Sequence, residues 1–533
     1  MRHALFLGLL LTEMAFLLSC SVPARRSVED PIQAISDRNI AILVQGAMQE
    51  FDSPGMAIGI VHRGQSVYAQ GHGLREIGDN AAVDAQTLFK IGSNTKAFTA
   101  AALAILVDEG RLEWDGRVVD YLPQFRLSDP WVTDHFNVAD LLTHRSGLPR
   151  FFGDLMFWPE PNDFTHDDII HALQYFELEG GFRTDYAYDN LLYVVAGQLV
   201  PAVTGQSWGD FIDERIMRSL SMQRCFAGPI PDIEFSNLAA PHGRVEGELQ
   251  VIERSRIGIN PPTSAAAGGI VCSLNDMMTW VKTQLSRGLG PGGVHIFSEQ
   301  QSRAMWRPYI WRSVSEQQTE EHGTHFSAYG LGWRLKDIHG LKAVSHTGSL
   351  AGMLSYVVLV PELELGLVVL SNGSNSAARS VVMETLLHAY LEVLPVDCLV
   401  RRIEAERDSQ QGEPEEVGPA VAVTDLVIPF ETAWAAEFSG IYEDPWFGKV
   451  HISSNNGRLY FRAEKSMRLK GPISALSDGR FLVQWEDRSV EADALISFVD
   501  DPEGPMRIIM TRVDPSSERS LDFQDLNLVR VEP

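Results

Sequence analysis

The chain has 533 residues, with 44 Lys+Arg against 70 Asp+Glu for a net charge of −26; 45% of it is hydrophobic and 21% charged. At about 150 residues per domain, this length holds two to four domains, and the apolar share is that of a globular chain with its own core. These figures exclude a wholly disordered, collagen-like or disulfide-stapled chain, and the acidic balance argues against a nucleic-acid partner, because phosphate contacts need clustered Lys and Arg.

The first element is an apolar stretch, Leu5 to Leu18, behind Arg2 and His3 and interrupted by Glu13. It falls short of the roughly 20 apolar residues of a membrane span, so residues 1–20 read as an export signal. Their end, Leu17-Leu18-Ser19-Cys20, resembles the lipobox of bacterial lipoproteins. That resemblance implies cleavage before Cys20, a lipid on its sulfur, and a place in the periplasm or cell envelope where the anchor alone meets the membrane. An ordinary secretory signal with an incidental cysteine is a second reading; Glu13 leaves open a third, no export. Cys225, Cys272 and Cys398 remain. Three cysteines allow one disulfide at most and none has a partner at metal-ligand spacing, so buried structural thiols are expected, with no metal and no cofactor.

After a polar tether to about residue 37, a helical pattern runs to about Gln49. Met56 to Val61 and Ser66 to Ala69, joined by His62-Arg63-Gly64-Gln65, read as a β-hairpin. Leu354 to Val360 and Leu365 to Leu370, around Pro361-Glu362, read as a second, and Ser376 to Leu391 as a helix. Terminal strands around a helical middle predict an α+β domain, residues 37–394, in which both ends build one antiparallel sheet flanked by helices. Residues 395–430 read as a linker, since Arg401 to Pro419 is too charged to pack. From 431 to 533 short alternating runs such as Val450-His451-Ile452 and Phe481-Leu482-Val483 predict a small antiparallel barrel.

The segment that carries chemistry is Phe89-Lys90-Ile91-Gly92-Ser93-Asn94-Thr95-Lys96. Phe98, Ala101, Ala102, Ile105 and Leu106 follow at helical spacing, with Gly110 as a C-cap, which sets Ser93 at a helix N-terminus and Lys96 one turn on. A serine needs a base, a desolvated lysine can be one, and a helix N-terminus offers N–H groups to an oxyanion. Ser-x-x-Lys alone is a weak signal, and an N-cap serine with a solvated lysine would look the same. Its companions are Tyr188-Asp189-Asn190, ahead of an apolar helix, and His346-Thr347-Gly348, at the edge of the second hairpin.

In that order the three motifs resemble those of serine β-lactamases and penicillin-binding proteins. Asp140-Leu141-Leu142-Thr143-His144-Arg145-Ser146-Gly147-Leu148-Pro149, Ala266-Ala267-Gly268-Gly269-Ile270 and Tyr329-Gly330-Leu331-Gly332-Trp333 extend the resemblance to the class C β-lactamase superfamily over roughly 37–393. The tail resembles the lipocalin-like barrel appended to some of these hydrolases. The resemblance implies Ser93 as the acylated nucleophile, Lys96 as its base, Tyr188 as the proton carrier to the leaving group, and Asn190 as the amide that meets the acyl chain and orients Lys96. It further implies that His346, Thr347 and Gly348 line the acyl-enzyme, with an oxyanion hole from the N–H groups of Ser93 and Ser349.

One departure bears on substrate. His346 stands where β-lactam-binding relatives carry a permanently charged lysine, and an ordinary histidine is mostly neutral at pH 7. The expectation is therefore an exported serine hydrolase acting on a small peptide or ester (D-aminopeptidase, carboxypeptidase or esterase-like), with His346 making carboxylate binding pH-dependent. A β-lactamase, or a penicillin-binding sensor without turnover, is the alternative. The aromatic segment Arg150 to Pro161 either walls the pocket or packs as a surface loop. Because every candidate residue precedes residue 350, the barrel is expected to be separable from catalysis.

Overall fold

The computed structural model describes residues 35–231, 236–252, 262–350, 352–391, 403, 427–429, 432–455, 458–490, 492–500, 504–514 and 520–532. The export signal, Cys20, Cys398 and nearly all of the linker lie outside them.

Eight strands form the main sheet. They are β1 (Gly55–His62), β2 (Gln65–Gly73), β8 (Ile310–Arg312), β9 (Ser327–Tyr329), β10 (Arg334–Ile338), β11 (Leu341–Leu350), β12 (Met353–Val360) and β13 (Leu365–Ser371), in the order β2-β1-β13-β12-β11-β10-β9-β8. All pairs are antiparallel, and β1 lies beside β13 with Met56 opposite Ser371, so both ends of the unit share one sheet as the pattern predicted. β1 and β13 are apolar almost throughout because both faces are covered. Helices Asp37–Glu50 and Ser376–Leu391 cover one face, through Leu43, Val44, Val382 and Leu386. Helix Leu274–Leu285 covers the other, with Phe98 stacked on Trp280 (ring centroids 4.1 Å apart).

A second, three-stranded sheet has the order β3 (Leu88–Lys90), β7 (Val271–Ser273), β4 (Cys225–Phe226). Cys225 lies directly opposite Cys272 in this sheet and the two form a disulfide, which corrects the expectation of free thiols. A ribbon of β5 (His242–Val245) and β6 (Glu248–Val251) meets the chain just beyond β13, where His242 bridges to Gly373.

The C-terminal unit is a closed antiparallel barrel in which each strand pairs with the next: β14 (Gly440–Asp444), β15 (Gly448–Asn455), β16 (Arg458–Ala463), β17 (Lys470–Ala475), β18 (Phe481–Val483), β19 (Ala494–Val499), β20 (Arg507–Arg512) and β21 (Leu528–Glu532), which closes on β14. Alternate side chains such as Leu459, Phe461 and Ala463 fill its interior around Trp485. Closure removes the exposed sheet edges that an open barrel would present.

The barrel packs directly against the larger unit. One apolar core runs through both units, with Trp446 packed on Phe176 and Phe447 on Phe164. Polar contacts flank that seam: Lys465 pairs with Asp168 at 2.6 Å and Arg468 Nη1 donates to the Glu160 carbonyl at 2.6 Å. The linker's composition gave no sign of this docking, because the apolar surface that holds it is split between two segments far apart in sequence.

Candidate active site

β3 delivers the chain into a 3-10 turn, Gly92–Asn94, which continues as helix Thr95–Asp108. Gly92 takes φ +52° with the Ser349 N–H so close that a Cβ would stand 2.9 Å from that nitrogen, and a Cβ on Gly348 would overlap the Ile91 carbonyl. Glycine at both positions lets the serine turn press against the edge of β11, which brings the Ser93 and Ser349 backbones together.

Lys96 is fully buried on the first helical turn. Its Nζ lies 3.1 Å from Ser93 Oγ, 2.7 Å from Asn190 Oδ1 and 2.9 Å from the Ala267 carbonyl. Ala267 belongs to a short helix, Ala265–Gly268, tied to the serine turn by the Ile91 N–H bond to Ile270 O. Burial pulls the Lys96 amine down to about 7; Asp154 and Asp189 oppose this and Arg334 adds to it. The Tyr188 hydroxyl donates to Ser93 Oγ at 2.8 Å, and burial holds this phenol far above its ordinary value, so it stays protonated. With an unprotonated Lys96, all three positions of its nitrogen are matched: two N–H bonds go to Asn190 and Ala267, and the lone pair faces the serine hydroxyl.

Asn190 caps the apolar helix Leu191–Thr204. Its Oδ1 meets Lys96, its Nδ2 lies 3.1 and 2.9 Å from the two oxygens of Asp154, and the residue lines the space around Ser93. Behind this cluster His144 and Asp189 are buried together. His144 Nδ1 lies 3.2 Å from the Asp189 backbone nitrogen and 3.4 Å from Asp189 Oδ2, and burial lowers the His144 pKa well below its usual value.

His346 takes a different place from the one expected. It is completely buried, with Nδ1 2.7 Å from the Thr347 carbonyl and Nε2 2.8 Å from the Tyr329 hydroxyl. Burial first, then Arg334 and Lys96, push its pKa well down. It is thus a neutral ring that braces β11, and the pH-dependent cation expected at this position is absent. The charge is supplied from the neighbouring strand instead: Arg334 Nη1 donates to Thr347 Oγ1 at 2.8 Å, on the cleft side. Arg312 and Arg150 line the same side with Tyr186 and exposed Trp311. The groups that most favour Arg334's charge are phenols, and neither its Nε nor that of Arg312 has a hydrogen-bond partner among the described residues. Arg334 directly follows the Tyr329 to Trp333 stretch, so a longer reading of that motif would have included it.

On the opposite side of Ser93 is a cavity of about 650 Å³. Phe157, Trp158, Ile252 and Leu354 line it from the larger unit, and Val490, Ala492 and Val513 from the barrel. The aromatic segment therefore walls the cleft, the first of its two readings. Its 3-10 turn, Asp154–Met156, is held from the barrel side: Ser520 Oγ donates to Asp154 Oδ2 at 2.8 Å and the Leu155 N–H donates to Asp522 Oδ1 at 3.0 Å. Asp154, Arg334, Ser520 and Asp522 were all missed by the motifs.

The α+β unit with a serine–lysine–tyrosine cluster at the sheet edge defines a serine hydrolase of the β-lactamase and penicillin-binding-protein type. The chain belongs to the β-lactamase family, whose profile matches residues 40–392. Residues 429–530 match a domain of unknown function, DUF3471. Among curated relatives, an unguisins hydrolase (ungD') of Aspergillus campestris is 30% identical over 67% of this chain and 66% of its own length. A second unguisins hydrolase (ungD), of Aspergillus violaceofuscus, is 26% identical over 62% of this chain and 60% of its own length, so the matched stretch covers less than two thirds of each of these relatives. Penicillin-binding protein 4 of Amycolatopsis lactamdurans is 27% identical over 63% of this chain and 80% of its own. In fold, the chain is similar to the octameric penicillin-binding protein homologue of Pyrococcus abyssi, with a TM-score of 0.55 and 22% identity over 93% of this chain and all of that one. A class C β-lactamase of Rhodobacter sphaeroides gives 0.54 and 20%, over 67% of this chain and all of that one.

Proposed function

We propose that the protein hydrolyses a peptide or ester bearing a carboxylate, through an acyl-enzyme on Ser93. The observation that carries this is the lysine: a buried amine with a pKa near 7, 3.1 Å from a serine hydroxyl that a protonated tyrosine also contacts. As Ser93 Oγ bonds to the substrate carbonyl carbon, its proton passes to the unprotonated Lys96. The N–H groups of Ser93 and Ser349 receive the oxyanion; in other enzymes one such donor is worth about 10²–10³ in rate. The proton then reaches the leaving amine or alcohol by way of Tyr188 as the carbon–leaving-group bond breaks. Water, losing its proton to the same pair, releases the acid and restores Ser93. Arg334 beside Thr347 supplies a cation for the substrate carboxylate, with Arg312 behind it. The Cys225–Cys272 disulfide supports placement in an oxidising compartment, in keeping with an export signal.

A fluorophosphonate probe tests the reading. Single labelling at Ser93, lost in Ser93→Ala, is expected, with turnover of p-nitrophenyl esters or D-aminoacyl p-nitroanilides. Labelling of the alanine variant, or none of the wild type, refutes it. Nitrocefin turned over faster than either substrate would favour the β-lactamase alternative.

A further inference from the structure

The catalytic cluster does not end inside the larger unit. Ser520 donates to Asp154, the Asp154 carboxylate accepts both contacts from Asn190 Nδ2, and Asn190 Oδ1 faces Lys96, so hydrogen bonds run unbroken from the barrel to the candidate base. The chemistry of the middle link gives that connection a purpose. The two ends of a primary amide are nearly alike in shape, and only the partners decide which way it points. A carboxylate can only accept, so Asp154 draws the NH2 group to itself and turns the carbonyl toward the lysine. Rotated the other way, Asn190 would donate into the lone pair of Lys96 that must take the serine proton. Asp154 is itself 2% exposed and sits in a turn that the barrel holds twice, by Ser520 at its carboxylate and by Asp522 at the next N–H. Burial, with Asp154 and Asp525 nearby, keeps the Asp522 carboxyl well above the usual range, so this second clasp adds no repelling charge to Asp154.

We propose that Ser520 of the barrel and Asp154 of the turn are positioning residues for Lys96: Ser520 fixes the Asp154 carboxylate, and Asp154 sets which end of Asn190 meets the lysine. The proposal rests on the acyl-enzyme reading above and makes the barrel a working part of the hydrolase site.

The test is the rate of Ser93 acylation by the fluorophosphonate, measured against pH in the full-length protein. Ser520→Ala should slow acylation about tenfold, the scale of one hydrogen bond to a charged group, and Ser520→Thr, which keeps the hydroxyl, should restore it. The groups facing Lys96 are Asp154 and Asp189, which favour its charge, Arg334, which opposes it, and the neutral Ser93, Tyr188, Tyr193, Asn190, Ala267 carbonyl, His144 and His346. Asp154→Asn removes one of the two carboxylates, so the acid limb of the profile should move to lower pH; Ser520→Ala should leave the limb in place. The limb shift reports the carboxylate's charge beside Lys96, and a merely structural role for Ser520 would not give the Ala-to-Thr difference in a folded protein. Wild-type acylation by Ser520→Ala overturns the proposal and leaves the acyl-enzyme reading intact; failure of the wild type to label at Ser93 overturns both. Should Ser520→Ala lose its thermal transition, the Thr variant and the Asp154→Asn limb decide: an unshifted limb, or threonine slower than wild type in a folded protein, refutes it.

Discussion

Desolvation of one amine is the quantity on which the chemistry turns, and the pH dependence of acylation measures it. A free lysine at 10.5 is unprotonated in about one molecule in three thousand at pH 7, whereas Lys96 at about 7 is unprotonated in about half. The burial of this side chain therefore raises the supply of base by roughly 10³-fold. The second-order rate of ester acylation, followed in stopped flow from pH 5 to 9, should rise about tenfold per unit below pH 6 and level off above 8, with a midpoint near 7. Lys96→Arg keeps the charge but cannot give up its proton at any of these pH values, so acylation should fall by at least ~10², the usual contribution of a general base. His144 and His346 are held neutral well below this range, whereas burial pushes the Asp189 carboxyl up to about 7, so the wild-type limb belongs to the coupled Lys96 and Asp189. A rate that is flat through pH 7, or a midpoint near 10, would refute the neutral-lysine mechanism, as would an arginine variant that acylates normally.

Arg334→Ala should raise KM for carboxylate-bearing substrates by tenfold or more and leave neutral esters within about twofold, since a charge-assisted hydrogen bond contributes roughly 1.5–3 kcal/mol. In the wild type, KM for those substrates should stay flat from pH 5 to 8, because the arginine does not titrate there; a KM that rises through pH 6.5 would return the role to His346. Val490→Trp or Val513→Trp should cut kcat/KM for substrates with bulky acyl groups while sparing acetyl esters, as both valines line the 650 Å³ cavity; equal losses on both would mean that the acyl chain lies elsewhere. Reducing the Cys225–Cys272 bridge, which spans 47 residues of sequence, should lower stability by about 4 kcal/mol on the loop-entropy estimate, seen as a fall in melting temperature; an unchanged melting temperature would contradict it.

Much of this architecture was written locally. The two hairpins announce themselves because β1, β12 and β13 are short apolar runs bounded by turn residues. The serine turn and its helix follow from Ser93, Lys96 and the small residues after them. The barrel strand β17 was not legible, since Gly471 and Pro472 inside it carry turn chemistry; its identity comes from pairing with β16 and β18. At the site, the burial of His346 depends on Tyr329 lying across two strands from it, which no motif spacing encodes. Asp154 sits among aromatics, where its side chain looks incidental. Ser520 follows Pro515-Ser516-Ser517-Glu518-Arg519, a run that reads as surface loop. The positions that escaped reading are thus those whose role is set by a partner on another strand or in the other unit.

The order of the units along the chain has a temporal consequence. Every residue of the proposed acylation step is synthesised by residue 349, yet the carboxylate beside Asn190 meets its serine partner only once residue 520 exists. At about 5–20 residues per second, the intervening stretch takes on the order of ten seconds to make. During that interval the nascent hydrolase unit carries its nucleophile and its base with the Asp154 turn unclasped and the Phe164 and Phe176 surface uncovered. If Ser520 positions Lys96 as proposed, full acylation of Ser93 must wait until the last barrel strands are made.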